Sequence, residues 1–461
     1  MDLIIKDAMA IAVMDDDRTV QRDADLLVRD GKIEALGKGL ATPPGAEVIS
    51  ARGCVVTPGL VNTHHHLYQT MFRNVPGIQD VELFPWLKAL YPLWRHITPE
   101  DVFVSAQVGL GELLLTGCTL STDHFYLFPC DQPCEIIDRT VEAARLLGIR
   151  FDPTRGSMSR GVSKGGLPPD EVVQDEATIL RDSERFADAF HDPSPGSLTR
   201  VALAPCSPFS VTPELLRDSA ALARERGLRL HTHLAETLDE ERYCLETTGM
   251  RPLEYMASVG WLGPDVWYAH GVHFNDEELE ELGRTQTGVA HCPGSNLRLG
   301  SGIARVPELM QRGVPVGLAV DGSASNDASD ILAEARLALL VHRVGTGVTR
   351  MSALDSLWLA TRGGARVLGR DREVGSLEKG KLADVAIFRV DDLAHAGGLH
   401  DPVASLVFCT GRQNAHAVLV GGKVVVRDGR LVNVDEERLA AEQNRRAGAL
   451  WAPRAASRLA P

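Results

Sequence analysis

The run Val56-Thr57-Pro58-Gly59-Leu60-Val61-Asn62-Thr63-His64-His65-His66 carries a β-branched strand into Pro-Gly and then delivers three consecutive histidines. Read as a short buried strand from Leu60, the two-residue alternation puts His64 and His66 on one face and His65 on the other. Two neutral imidazoles side by side on one strand form a ready pair of donors for Zn or Fe(II). Alone, a His-X-His is equally well a polar loop or a satisfied histidine cluster. The reading therefore turns on whether the rest of the chain supplies further ligands.

Downstream of this run the chain alternates strand-like and helix-like segments. Strand candidates fall at 60–64, 119–125, 149–154, 201–207, 229–234, 266–270, 288–292 and 315–321, with amphipathic stretches such as 213–226, closed by Gly227, and 276–283 between them. Eight strands alternating with helices over roughly 310 residues predict a (β/α)8 barrel of the TIM type. An open doubly wound sheet is the competitor, but no Gly-X-Gly-X-X-Gly follows an early strand. The flanks have another texture. Residues 1–57 read as short strands, including Leu3-Ile4-Ile5, Met9 to Met14, Asp25 to Val28 and Lys32 to Leu36, split by Asp15-Asp16-Asp17 and Asp30-Gly31. Residues 371–461 repeat the pattern with Asp384 to Phe388, Ala417 to Val420 and Lys423 to Val426. Neither piece is large enough to be a comfortable β-domain alone. The expected division is thus 1–57 and 371–461 forming one small β-sandwich, with the barrel over 58–370 and a terminal helix over 436–461 that ends in a frayed tail.

Composition narrows the class. The chain has 461 residues, 44% hydrophobic and 24% charged, which is ordinary for a globular protein with a large core. A formal charge of -14 argues against nucleic acid or an anionic membrane as a bulk partner. Eight scattered cysteines, with Cys130 and Cys134 the only close pair, fit reduced thiols in the cytoplasm better than a disulfide framework or a thiolate metal site. The first residues lack the pattern of a signal peptide, and no apolar run is long enough for a membrane span. The expectation is a soluble cytoplasmic protein, associated as a homo-oligomer as barrels of this size commonly are.

The predicted strand ends carry the chemistry. Strand five ends in His231-Thr232-His233-Leu234-Ala235-Glu236, strand six in Ala269-His270-Gly271, strand seven in His291-Cys292-Pro293, and strand eight in Val320-Asp321-Gly322. Imidazoles and carboxylates at the C-terminal ends of strands one, five, six, seven and eight suit a hydrolase that uses a divalent metal. Thr57-Pro58-Gly59 leading to His64-X-His66, with His233-X-X-Glu236, His270 and Asp321, resembles the amidohydrolase superfamily over nearly the whole chain. More narrowly, the stretches 62–70, 83–87, 155–159 and 291–296 resemble the aminohydrolase branch that deaminates 8-oxoguanine and related oxidised purines. Triazine hydrolases and pterin or guanine deaminases share much of that scaffold.

The resemblance implies one metal, Zn or else Fe(II), held by His64, His66, His233 and Asp321. It implies that the metal acidifies a water, that Asp321 accepts that water's proton, and that Glu236 protonates a ring nitrogen as general acid/base. His270 would steady the attacking oxygen or the leaving group. His231 shares a strand face with His233 but falls outside the motif, so it reads as structural. His65 should face away, and His291 reads either as orienting a neighbour or as packing. Members with two metals generally use a carboxylated lysine on strand four, and the run 201–207 has none, which favours one metal.

For substrate binding, Gln69 can pair with a lactam edge in both senses, Trp86 can stack on a flat ring, and Arg155 can donate to a ring carbonyl. Each has a bland alternative: capping, packing and a surface charge respectively. No basic cluster marks a phosphate site, so a free base is favoured over a nucleotide. The expected reaction is 8-oxoguanine plus water giving urate and ammonia. The alternatives are release of chloride or alkylamine from a triazine, deamination of a pterin or guanine, and a catalytically dead barrel. Against the last, no ligand of the motif is missing.

Overall fold

In this computed structural model the described residues are 2–409, 411 and 413–458, the side chains of residues 345 and 452–458 aside. The two ends of the chain meet in one mixed nine-stranded sheet. Its hub is Leu3–Ala12, antiparallel to Val20–Arg29 and parallel to both Glu47–Ser50 and Cys54–Pro58. Cys54–Pro58 then pairs antiparallel with Val385–Arg389, and Ala417–Val420 and Lys423–Arg427 continue outward. The two short runs expected within residues 3–14 are one strand interrupted by a bulge between Ile5 and Ala8, where Asp7 takes a left-handed φ of 59°. Leu3, Ile5, Ile11, Val56, Val385, Ile387 and Leu419 pack into a single apolar cluster, so each chain end buries the other's open face.

The middle of the chain forms eight parallel strands in sequence order: Leu60–Asn62, Cys118–Phe125, Arg150–Ser157, Ala202–Pro205, Arg229–Leu234, Val266–His270, Gly288–His291 and Val316–Leu318. The eighth returns to the first through Leu318 O, which accepts from Thr63 N at 3.1 Å and Thr63 Oγ1 at 2.9 Å. The ring is therefore nearly closed, as a (β/α)8 barrel requires. Gly59, in the opening motif, is needed where strands one and two converge, because a Cβ there would enter the side chain of Thr119. The helix Pro213–Arg226 starts with a Thr212 side-chain cap on Leu215 N and stops at Gly227, φ 66°, as its sequence signals predict.

Sheet and barrel are joined by buried charge. Arg150, at the base of strand three, donates to both carboxylate oxygens of Asp384 at 3.1 and 3.0 Å, and both residues are buried. The insertion after strand one folds as a short 3-10 turn, Leu67–Phe72, and a helix, Leu83–Trp94. Their aromatics form an edge-on stack in which Trp94 meets Tyr68, Trp86 and Tyr91 at ring-centroid distances of 5.3, 5.4 and 5.5 Å. This insertion roofs the C-terminal mouth of the barrel. The terminal helix spans Glu436–Arg458, and residues 459–461 of the expected frayed tail lie outside the described residues.

Candidate metal centre and its pocket

The mouth of the barrel holds a cavity lined by His66, His233, Glu236, His270 and Asp321, with Gln69, Trp86, Tyr126 and Cys206 among its walls. The first strand stops at Asn62, short of the expected His66, so the histidines lie just past its end; their sides still alternate, with His64 and His66 both approaching Asp321 and His65 turned away to Ser329 Oγ at 3.1 Å. His64 Nε2 and His66 Nε2 each lie 3.3 Å from Asp321 Oδ1, and His66 Nε2 lies 3.1 Å from His233 Nε2. All are buried or nearly so.

Proton positions on these rings follow from their outer partners. His66 Nδ1 faces the carbonyl of His124 at 2.7 Å, and His233 Nδ1 faces the carbonyl of Cys206 at 2.6 Å. A carbonyl only accepts, so each Nδ1 carries the hydrogen and each Nε2 keeps a lone pair. His64 Nδ1 is 2.7 Å from His231 Nε2, and His231 Nδ1 is 2.9 Å from the carbonyl of Trp267. The same reasoning makes His231 Nε2 the acceptor, puts the hydrogen on His64 Nδ1 and leaves His64 Nε2 bare. That buried Nε2 has no hydrogen-bond partner. Three lone pairs and a carboxylate thus converge with no hydrogen between them. Such an arrangement repels itself unless a cation sits there, and it fits a divalent metal.

The electrostatics agree with a donor set. Burial, reinforced by neighbouring histidines, holds His233 well below the usual histidine range. Burial also lowers His64 and His66, against the pull of Asp321. Neutral imidazoles are what a metal needs.

Glu236 stands across the pocket. Its Oε2 is 3.5 Å from His270 Nε2, and the same Nε2 is 4.0 Å from Asp321 Oδ2. Burial pushes Glu236 up. His270 loses charge stability to burial but is raised overall by Glu236 and Asp321. Its Nδ1 is bonded to Asn296 Oδ1 at 2.8 Å, which leaves Nε2 facing the two carboxylates. The backbone is held in unfavourable conformations at three strand ends: Ala235, His270 and Asp321 have φ of 53°, 75° and 63°. Non-glycine residues seldom adopt this region, and surrounding contacts must hold them there. One such contact is Glu240, a buried carboxylate that accepts from Ala235 N at 2.8 Å and Glu236 N at 3.2 Å.

Of the substrate-binding candidates, Gln69 and Trp86 line the pocket, and Gln69 Oε1 and Trp86 Nε1 are buried without a partner. Arg155 is placed elsewhere. It is buried against Asp182 at 2.9 Å and Gln174 at 2.8 Å, with its guanidinium 3.9 Å from the Phe128 ring centroid. The structure thus makes Arg155 neither a pocket donor nor a surface charge; strand three runs on to Ser157 and turns this side chain outward among helices. His291 pairs with His342 at 3.1 Å, away from the cavity walls.

His124 escaped the sequence reading. It is the penultimate residue of strand two, stacks on His233 at 4.6 Å and 21°, and forms a second donor group with His64, His66 and His233. Its Nε2 donates to Ala204 O at 2.9 Å, leaving Nδ1 bare. Its signal was a histidine at the end of a predicted barrel strand.

A model of the amidohydrolase family matches residues 55–425. The chain is 50% identical to the 8-oxoguanine deaminase of Pseudomonas aeruginosa, covering 93% of this chain and 95% of that one. It is 37% identical to an isoxanthopterin deaminase from an unknown prokaryotic organism, over 91% of this chain and 90% of the relative. Among solved structures, atrazine chlorohydrolase from Arthrobacter aurescens TC1, complexed with zinc, superposes with a TM-score of 0.92 at 34% identity, covering 96% of this chain and 100% of that one. By sequence and by barrel, the chain belongs to the amidohydrolase family.

Proposed function

We propose that this protein is a metal-dependent aminohydrolase that converts 8-oxoguanine and water to urate and ammonia. The observation that carries the chemistry is the placement of Glu236 and Asp321 on either side of His270 Nε2, beside three converging imidazole lone pairs. The choice of base is supported by the half-identical relative named for that activity. His64, His66, His233 and Asp321 would hold one metal. Zinc is our choice because solved relatives contain it; Fe(II) suits the same donors. When bound, the metal supplies a Lewis acid that acidifies a water and polarises the reacting group.

The chain's own residues then move the protons. Asp321 Oδ2, which accepts from Ser325 Oγ at 3.3 Å, takes a proton from the attacking water. Glu236, whose carboxyl burial pushes up, gives a proton to the adjacent ring nitrogen as a C–O bond forms at the carbon bearing the amine. The proton on Asp321 passes to the amine, the C–N bond breaks and ammonia leaves. The hydroxyl proton of the new carbonyl returns to Glu236, so both carboxyls end as they began. His270 Nε2 lies between the two carboxyls and steadies the developing charge.

Gln69 and Trp86 are the recognition groups in this reading. Both line the pocket and each carries a buried, unpartnered polar atom, and a lactam edge offers both the donor and the acceptor they lack. The reading also divides the chain near residues 57 and 370, places the enzyme in the cytoplasm in keeping with its eight free cysteines, and makes it a homo-oligomer. Among the described residues no helix is long and apolar enough to cross a membrane.

The deciding test is ammonia release by the zinc-loaded protein from 8-oxoguanine, guanine, isoxanthopterin, cytosine and adenosine, with chloride and alkylamine followed from triazines. A clear preference for 8-oxoguanine with urate formed is expected. Release from a triazine alone would overturn the substrate and keep the metal site.

A further inference from the structure

We propose that His231 is a positioning residue that sets the tautomer of His64 and thereby the metal affinity of the whole centre. The inference rests on the metal reading above and adds a role to a histidine outside the ligand motif. His231 is fully buried one alternation below His233 on strand five, and the parallel register sets it directly opposite Trp267 on strand six. Its ring lies flat on the Trp267 indole, 4.4 Å between centroids and 12° between planes. Its Nδ1 donates to the Trp267 carbonyl at 2.9 Å, so its Nε2 can only accept, and what it accepts is the Nδ1 hydrogen of His64 at 2.7 Å. Trp267 Nε1 donates in turn to the carbonyl of Thr63, next to His64, at 3.0 Å. Strand six therefore clamps both the base of the ligand and the ring that holds it.

His64 differs from the other ligands in this respect. His66 and His233 are oriented by backbone carbonyls, which no side-chain substitution removes. His64 alone of the three relies on another side chain. Without an acceptor at its Nδ1, a neutral His64 would move its hydrogen to Nε2, where the Asp321 carboxylate 3.3 Å away would accept it. That tautomer occupies the metal's place with a hydrogen. Outer partners of metal-bound histidines act by this route and are typically worth about 10- to 100-fold in metal affinity.

The test is zinc affinity by competition with a chromogenic chelator, with cobalt(II) visible absorption as a second readout, for the parent, His231→Phe and His231→Gln. Phenylalanine keeps the ring on Trp267 and removes the acceptor; glutamine restores an acceptor. The expected result is an affinity loss of roughly 10- to 100-fold in His231→Phe, a changed cobalt spectrum, and partial recovery in His231→Gln. Unchanged zinc affinity and cobalt spectrum in a folded His231→Phe protein would overturn the proposal. If His231→Phe does not fold, His231→Gln decides: affinity within twofold of His231→Asn, whose shorter side chain falls short of His64, would overturn it, and a clear gap between the two would support it. A parent that binds no zinc would refute the metal reading itself, a result distinct from either.

Discussion

His66 Nε2 and His233 Nε2 lie 3.1 Å apart, and each ring has already spent its hydrogen on a carbonyl oxygen. Two lone pairs held face to face are a cost to the fold unless a cation joins them. Stripping the protein with a chelator should therefore abolish ammonia release, and adding zinc should restore it. His233→Ala should lose metal and activity together, by more than the roughly 100-fold that outer partners reach. A fully metallated, active His233→Ala protein would reject His233 as a ligand.

Glu236 offers a cleaner separation of roles, because it faces His270 and sits apart from the converging lone pairs. Glu236→Gln should keep its metal, measured by elemental analysis, while kcat drops by about 100- to 10,000-fold. Normal turnover would remove Glu236 from the proton path.

Gly322 follows Asp321 directly, and a Cβ there would run into the amide of Gln69. Gly322→Ala should displace Gln69 and lower kcat/KM roughly 10- to 100-fold. In a Gln69→Ala background the same change should cost little more, since the obstructed group is gone. Additive losses in that double-mutant cycle would show that Gly322 acts through something other than Gln69.

The Arg150–Asp384 pair bears on stability alone. Asp384→Ala leaves a buried guanidinium with only the carbonyls of Gly196 and Ser197 as acceptors, and it should destabilise the apo protein by about 3–5 kcal/mol in urea unfolding. Replacing both partners with apolar residues should recover most of that loss, because no charge is then left buried. A double variant as unstable as Asp384→Ala would argue that the pair does more than neutralise itself.

Glu334 ties the first turn of the helix Pro293–Arg298 to the loop after Asp321, accepting from Gly294 N at 2.8 Å and Asn326 Nδ2 at 3.0 Å. Burial pushes its carboxyl up to about 7, above its value in the unfolded chain. Between those two values the folded state holds the proton more tightly, so stability falls as pH rises toward about 7 and levels off beyond it. The difference in unfolding free energy between parent and Glu334→Gln should change with a slope approaching 1.4 kcal/mol per pH unit in that window. A difference that stays flat from pH 5 to 7 would contradict the raised value.

Much of this was legible without coordinates, because both periodicities in play are local. Alternation along Leu60 to His66 already separated His64 and His66 from His65, and the structure sends them to opposite sides. Strand ends could be placed because apolar β-branched runs stop where polar, chemistry-bearing residues begin. Proline at the start and glycine after the end bounded the helix Pro213–Arg226. What remained out of reach depended on distances between segments far apart in sequence. Arg155 belongs to a motif that resembles a pocket motif, yet its charge is taken up by Asp182, 27 residues on. His124 joined the cluster only when strand two was set beside strand one. The outer partners of His66, His233 and His64, namely the carbonyls of His124 and Cys206 and the ring of His231, are chosen by strand register, which a single sequence does not encode locally. Residue types and their periodicity thus determined which side chains can do the chemistry, whereas closure of the barrel decided which of them meet and which nitrogen of each ring is left bare.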